Sequence, residues 1–161
     1  MKYLLNLMLV FGLLSCTTSQ TSKYSVIEYE VGPCFGFCPT YKITIDSNRN
    51  AILEAERFNF SKGGSKDDFD KPREGTFKAT VSAEDYQRLI AAADAANIKT
   101  LNEDYIDKRI MDASKTNLRI TFADGTKRDI AMSAGDKPQT LAELISLFSE
   151  IKKKKNWLKF K

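Results

Sequence analysis

The sequence contains no histidine. That absence excludes Ser-His-Asp and Cys-His nucleophile systems, and with them the zinc and iron sites that use imidazole. No stretch is apolar for the ~20 residues that cross a bilayer; Leu4 to Leu14 is almost continuously apolar but too short. Clustered basic charge is missing from the body of the chain. Of 25 lysines and arginines, Lys2 lies near the start and six lie in the last ten residues, so Cys16 to Ile151 holds 18 basic against 21 acidic side chains, a net −3. Such a surface does not neutralise phosphates, and no nucleic-acid partner is expected. There is also no internal repeat, no linker and no sign of a second domain. The 161 residues are 42% hydrophobic and 29% charged, the balance of one globular domain with a real core.

Cysteine is scarce, three residues in all, and each is placed tellingly. The charged start Met1-Lys2-Tyr3 and the apolar run to Leu14 read as a signal peptide, residues 1–15. It ends in Leu13-Leu14-Ser15-Cys16, which resembles a bacterial lipobox. The resemblance implies that Cys16 carries a diacylglycerol thioether and becomes the mature N-terminus; the competing reading is an ordinary secretory signal with an incidental cysteine. A further acyl chain on the Cys16 amine would give stable multi-chain anchoring. Residues 16–23 then form a polar tether with no apolar face to bury. Thr17, rather than Asp, at the second mature position favours the outer membrane, by resemblance to the enterobacterial sorting rule. The membrane, reached through this lipid, is the expected partner, beside an envelope partner of unknown identity.

From Tyr24 the pattern alternates. Ile27, Tyr29 and Val31 lie on one face of a first strand, and Tyr41, Ile43 and Ile45 on one face of a second. A third is predicted over Ile52 to Phe60, a fourth over Thr76 to Val81, a fifth through Leu118, Ile120 and Phe122, and a return strand through Ile130 and Met132. Asp124-Gly125 predicts a type I′ hairpin between the last two. Ser82 followed by Asp85 marks a helix start, with Tyr86, Leu89, Ile90 and Ala93 as its buried stripe. A second helix follows Pro138, burying Leu141, Leu144, Ile145, Phe148 and Ile151. Lys99 to Thr116 reads as irregular and charged, with Tyr105, Ile110 and Met111 as its expected packing points. The expected fold is α+β, a mostly antiparallel sheet of five to six strands covered on one face by two helices, in a single domain over residues 24–151. Residues 152–161 form a basic-aromatic tail.

The densest stretch is Pro33-Cys34-Phe35-Gly36-Phe37-Cys38-Pro39-Thr40-Tyr41. With Cys16 taken by lipid, Cys34 and Cys38 are an even pair in an oxidising compartment, where a disulfide is the default. Closing so short a loop stabilises by ~2 kcal/mol in the chain-entropy picture. Redox chemistry is the sharper alternative. Catalytic dithiols favour a helix N-terminus and nearby cations, whereas this pair has Cys-x-x-x-Cys spacing, no Lys or Arg inside the loop, and a strand pattern after it. A metal site would need two more ligands with no histidine to supply them. Phe35, Phe37 and Tyr41 are candidates for a partner-facing loop, with at least one of the two phenylalanines expected to cover the end of the core.

Cys34-Phe35-Gly36-Phe37-Cys38-Pro39-Thr40-Tyr41 resembles the C-F-G-x-C-P-x-Y signature of a bacterial family of unknown function found in secreted proteins and lipoproteins. The resemblance extends over the domain from Tyr24 to about Ile151. It implies the same strand and helix order and transfers no catalytic residue.

Lesser candidates remain. Lys66-Asp67-Asp68-Phe69-Asp70 and Asn102-Glu103-Asp104 with Asp107 are acidic clusters with oxygen ligands for a calcium ion, but neither has EF-hand spacing, and a solvated loop is the stronger reading. Asp107 and Asp112 are a conceivable carboxylate pair for a hydrolase, with no motif behind it. In the tail, Lys152, Lys153, Lys154, Lys155, Trp157 and Phe160 suit either a frayed basic end or a membrane interface, where cations meet anionic head groups. No cofactor is expected and no catalytic residue is assigned. The reading is a lipid-anchored envelope protein, a non-catalytic binding or structural module; the alternative is a thiol-disulfide oxidoreductase using Cys34 and Cys38.

Overall fold

A computed structural model of the chain describes residues 22–60, 72–154 and 156–161. Cys16, the expected signal peptide, the Lys66–Asp70 cluster and Lys155 lie outside the described residues. In chain order the elements are β1 (Tyr24–Val31), β2 (Thr40–Asp46), β3 (Asn50–Arg57), β4 (Gly75–Thr80), α1 (Ala83–Ala95), a 3-10 turn (Ile98–Thr100), β5 (Asp104–Tyr105), β6 (Thr116–Phe122), β7 (Lys127–Met132), α2 (Gln139–Lys154) and β8 (Leu158–Lys159).

The eight strands make one sheet in the order β5-β7-β6-β1-β2-β3-β4-β8. β5 pairs parallel to β7 and every other pair is antiparallel, so the sheet is mixed. The α+β class stands, but eight strands replace the expected five to six. The two additions, β5 and β8, are two residues long, and two residues cannot show a period of two. Each closes an edge of the sheet with little exposed ladder, one way natural sheets limit edge pairing.

Alternation decides the layers. Ile27 and Tyr29 of β1, Tyr41, Ile43 and Ile45 of β2, Leu53 of β3, Leu118 and Ile120 of β6 and Ile130 of β7 point to one face and are buried. Both helices pack there. α1 contributes Tyr86, Leu89 and Ala93, and α2 contributes Leu141, Leu144, Leu147, Phe148 and Ile151, to a single core. The Phe148 ring sits 5.1 Å from that of Tyr29. The opposite face carries Glu28, Lys42, Thr44, Glu54 and Arg119 and has no layer over it among the described residues.

Local chemistry sets the ends. Ser82 caps α1 as expected, its hydroxyl accepting from the Asp85 amide at 3.1 Å. β3 stops at Arg57 rather than Phe60, because Phe58 takes a left-handed φ of 58°. The β6–β7 turn is not type I′. Only Gly125 has positive φ, 83°, and its amide donates to Phe122 O at 3.0 Å, giving a type I turn followed by a left-handed glycine. Asp124 stabilises it by accepting from the Thr126 amide at 2.9 Å.

The registers sort the loops into two ends. The β1–β2 and β3–β4 connections lie at the disulfide end, with the residues that lead into β6. At the other end lie Tyr24, the β2–β3 turn, the start of α1 and the β6–β7 turn.

Candidate functional site

The β1–β2 loop is built from backbone contacts outward. Gly32 N donates to Lys115 O at 2.8 Å, and a Cβ there would stand 3.0 Å from that oxygen, so the close crossing favours glycine. Phe35 N donates to Asp112 O at 3.1 Å, and Gly36 N to Cys34 O at 2.9 Å. Cys34 and Cys38 form the disulfide, with Cα atoms 5.8 Å apart. The loop is thus fixed across its base and along one side. β2 begins two residues after Cys38, so neither cysteine sits at a helix N-terminus, where a thiolate would be stabilised.

Both phenylalanines face outward, against the expectation that one covers the core. Phe35 is 89% exposed; Phe37 is about half exposed and meets the Phe58 ring edge-on at 5.5 Å. The reason is topological. The loop extends past the last sheet pair, Val31 with Tyr41, and the core is already closed beneath it by Tyr29 and Tyr41 in edge contact at 6.4 Å. Tyr41 is therefore not partner-facing. It is buried, and desolvation raises its pKa. Met111, 91% exposed, and Ile110 precede the Asp112 that holds Phe35, and Phe60, half exposed, packs on Phe77 at 4.7 Å. The disulfide end therefore presents an apolar tip; Ile110 and Met111, expected from the sequence to be packing points, are exposed there instead, and Phe60, expected to close the third strand, lies beyond its end. The segment has no periodicity to show which side chains point out.

The acidic candidates are occupied elsewhere. Arg109 grips Asp107 through Nη2 to Oδ2 at 2.7 Å and Nε to Oδ1 at 2.9 Å, holding its carboxyl down at about 2. A general acid needs the opposite shift. Glu103 pairs with Arg128 at 2.8 Å, and Asp104 accepts from the Ile106 amide at 2.8 Å. Among the described residues no group of three or more Cys, Asp or Glu side chains is placed to hold a metal ion. On the open face Arg119 joins three strands, at 2.7 Å from Glu28, 2.6 Å from Glu30 and 3.2 Å from Asp129.

The tail does not fray. β8 pairs with β4, Thr76 N donating to Lys161 O at 2.9 Å and Phe160 N to Thr76 O at 3.0 Å. Gly75, at φ 129°, permits this, since a Cβ would stand 2.6 Å from Lys161 O. Of the tail residues singled out in the sequence, two turn inward. Lys152 is half-buried with its ammonium 4.3 Å from the Tyr41 ring centroid, and desolvation lowers its pKa. Trp157 packs against the core and donates from Nε1 to Lys152 O at 2.9 Å. Lys153, Lys154 and Phe160 are exposed. A groove of about 610 Å³ opens on the uncovered face between β3, β4 and the tail, lined by Ile52, Lys78, Thr80, Asn156, Leu158 and Phe160 among others. The signal for Ile52 lies in Ala51-Ile52-Leu53, since three consecutive apolar residues on a strand leave the middle one facing out when its neighbours face in.

Residues 25–152 match a family described as a domain of unknown function, DUF6438. The chain belongs to this family. The DUF6438 match begins within β1 and ends two residues before the end of α2, so it takes in the disulfide loop and both helices, while β8 falls outside it. No curated protein matches the chain. Among the described residues of this DUF6438 protein, no helix is long and apolar enough to cross a membrane.

Proposed function

We propose that this DUF6438 protein is a lipid-anchored component of a bacterial cell envelope, acylated at Cys16 and acting as a non-catalytic binding module rather than an enzyme. One observation carries the binding part: Phe35 is 89% exposed on a loop pinned by Cys34–Cys38, at the end of the sheet opposite Tyr24. A membrane anchor upstream of Tyr24 leaves that apolar tip pointing away from the bilayer. A loop already fixed by a disulfide loses little conformational entropy when a partner docks on it. The lipobox-like Leu13-Leu14-Ser15-Cys16 supports the anchor, and Thr17 supports the outer membrane as its address. The partner is an envelope protein offering an apolar surface to Phe35, Phe37 and Met111.

The test has two arms. Fractionation of cells carrying the wild type and Cys16→Ser places the first with membranes and the second outside that fraction. A photo-crosslinking residue at position 35, in the native envelope, gives one discrete adduct that Phe37→Ser and Met111→Ser diminish. Finding both Cys16 forms in the same fraction sinks the anchor, and a position 35 probe that yields no adduct sinks the binding tip.

A further inference from the structure

The groove on the open face has an unusual wall for a solvated sheet. Ile52, Leu158 and Phe160 expose 41%, 64% and 43% of their surface; Ile52 and Leu158 flank Lys78 across three strands, since Ile52 pairs with Lys78 and Lys78 with Leu158, and Phe160 follows β8. Lys78 and Lys161 bracket the Phe160 ring, their ammonium groups 5.9 and 6.0 Å from its centroid. The acidic residue at that corner, Asp46, is engaged by the Asn48 and Asn50 amides at 2.9 and 2.8 Å and by Asn50 Nδ2 at 2.9 Å. The patch thus interleaves exposed apolar side chains with a central Lys78 and carries Lys161 beside Phe160, a mixture that suits the head-group region of an anionic bilayer.

Position in the fold agrees. Asn50 and Thr80 place the groove in the half of the sheet nearer Tyr24. Ser22 is fastened there, accepting from the Tyr86 hydroxyl at 3.0 Å. It lies six positions after Cys16, a reach of at most about 20 Å. The groove lies three strand spacings from β1, about 14 Å. A lipid on Cys16 would therefore hold this patch within touching distance of the membrane, where even a weak contact is populated at high effective concentration.

We infer that Ile52, Leu158 and Phe160, with Lys78 among them and Lys161 beside Phe160, form a docking surface for the anionic bilayer that holds the anchor, laying this corner of the open sheet face on the membrane. This deepens the proposed function and rests on it for the identity of the membrane. The surface itself is testable without the lipid.

The chain from residue 16 onward, bearing Cys16→Ala, keeps every core residue and removes the acyl group. It is expected to co-sediment with phosphatidylglycerol vesicles at low salt, to be released by high salt, and to ignore phosphatidylcholine vesicles. Leu158→Ser with Phe160→Ser weakens the partition at least tenfold at unchanged circular dichroism, and Lys78→Glu, on an exposed side chain, weakens it severalfold. Trp157 is the only tryptophan, and brominated acyl chains quench its emission in the parent but not in the double variant. Phe35→Ser with Met111→Ser, at the far end, leaves binding unchanged. No binding of the parent, equal binding of parent and double variant, or loss confined to the Phe35/Met111 variant would each overturn the assignment. So would a concentration-dependent dimer abolished by the double variant without vesicle binding, which would give the face to a second copy. The mass of the native protein reports separately on the anchor: an unacylated Cys16 defeats the proposed function and leaves the vesicle result standing.

Discussion

The Tyr24 hydroxyl donates a 2.7 Å hydrogen bond to Asp94 Oδ1, the same oxygen that receives the Lys23 ammonium at 2.9 Å. One carboxylate near the end of α1 thus fastens the first residues of the domain to the helical layer. These two donors hold the Asp94 pKa below its usual range, Lys23 contributing most. Tyr24→Phe removes one bond to a charged acceptor that keeps its other partner, and is expected to cost about 1 kcal/mol. Urea denaturation should show a lower midpoint with an unchanged slope, since the surface exposed on unfolding is the same.

Alkaline pH should unfold the protein in a defined window. Burial raises the pKa of Tyr29 to about 12, and burial with the Asp94 contact raises that of Tyr24 as well. Both phenols prefer the neutral form when folded, so their contribution is complete below an ordinary tyrosine pKa of about 10 and disappears as pH climbs through the folded values. The expected result is a stable plateau below that point and a steep loss of stability above it. In ultraviolet titration the phenolates of Tyr24 and Tyr29 should appear late and together, in one cooperative step as the chain unfolds. Titration of Tyr24 and Tyr29 near the ordinary value in the folded protein would contradict the burial.

Gly75→Ala should release the tail without unfolding the core. The added Cβ meets Lys161 O and Lys159 Cε, each at 2.6 Å, on a backbone whose φ of 129° already disfavours a side chain. Strain of this kind is worth ~1–3 kcal/mol, more than a two-residue edge strand can resist. The Thr76 amide, now bonded to Lys161 O, should exchange rapidly with solvent while the Leu53 and Ile43 amides stay protected.

Replacing both Cys34 and Cys38 by alanine should lower stability by about 2 kcal/mol, the loop-closure contribution for so short a ring, and leave the fold intact. Calorimetry measures the shift. Thiol titration of the protein isolated from its native cells under thiol-blocking conditions should find the pair oxidised. A cycling pool of reduced protein would instead revive the oxidoreductase reading.

Much of the fold was legible in the sequence because its core strands are half-buried and announce it. Ile27 and Tyr29, then Tyr41, Ile43 and Ile45, alternate with polar residues, and each faces where the pattern put it. Ser82 was readable because capping is local chemistry. What escaped was whatever a partner elsewhere in the chain decides. β8 exists because Gly75 leaves room for it, and Lys152 turns inward because Tyr41 offers a ring 4.3 Å from its ammonium. The outward turn of Phe35 and Phe37 depends on Tyr29 and Tyr41 having already closed the core, which local composition cannot reveal. Asp124-Gly125 gave the hairpin but not its type, since either turn needs a glycine at that place.

β1 lies in the interior of the sheet, paired with β6 on one side and β2 on the other. A pull applied through the residues before Ser22 would therefore load two ladders in shear, straining their hydrogen bonds together rather than peeling them one by one. Mechanical rupture would have to break both ladders at once, so the strand that receives the tension is among the hardest in the molecule to extract.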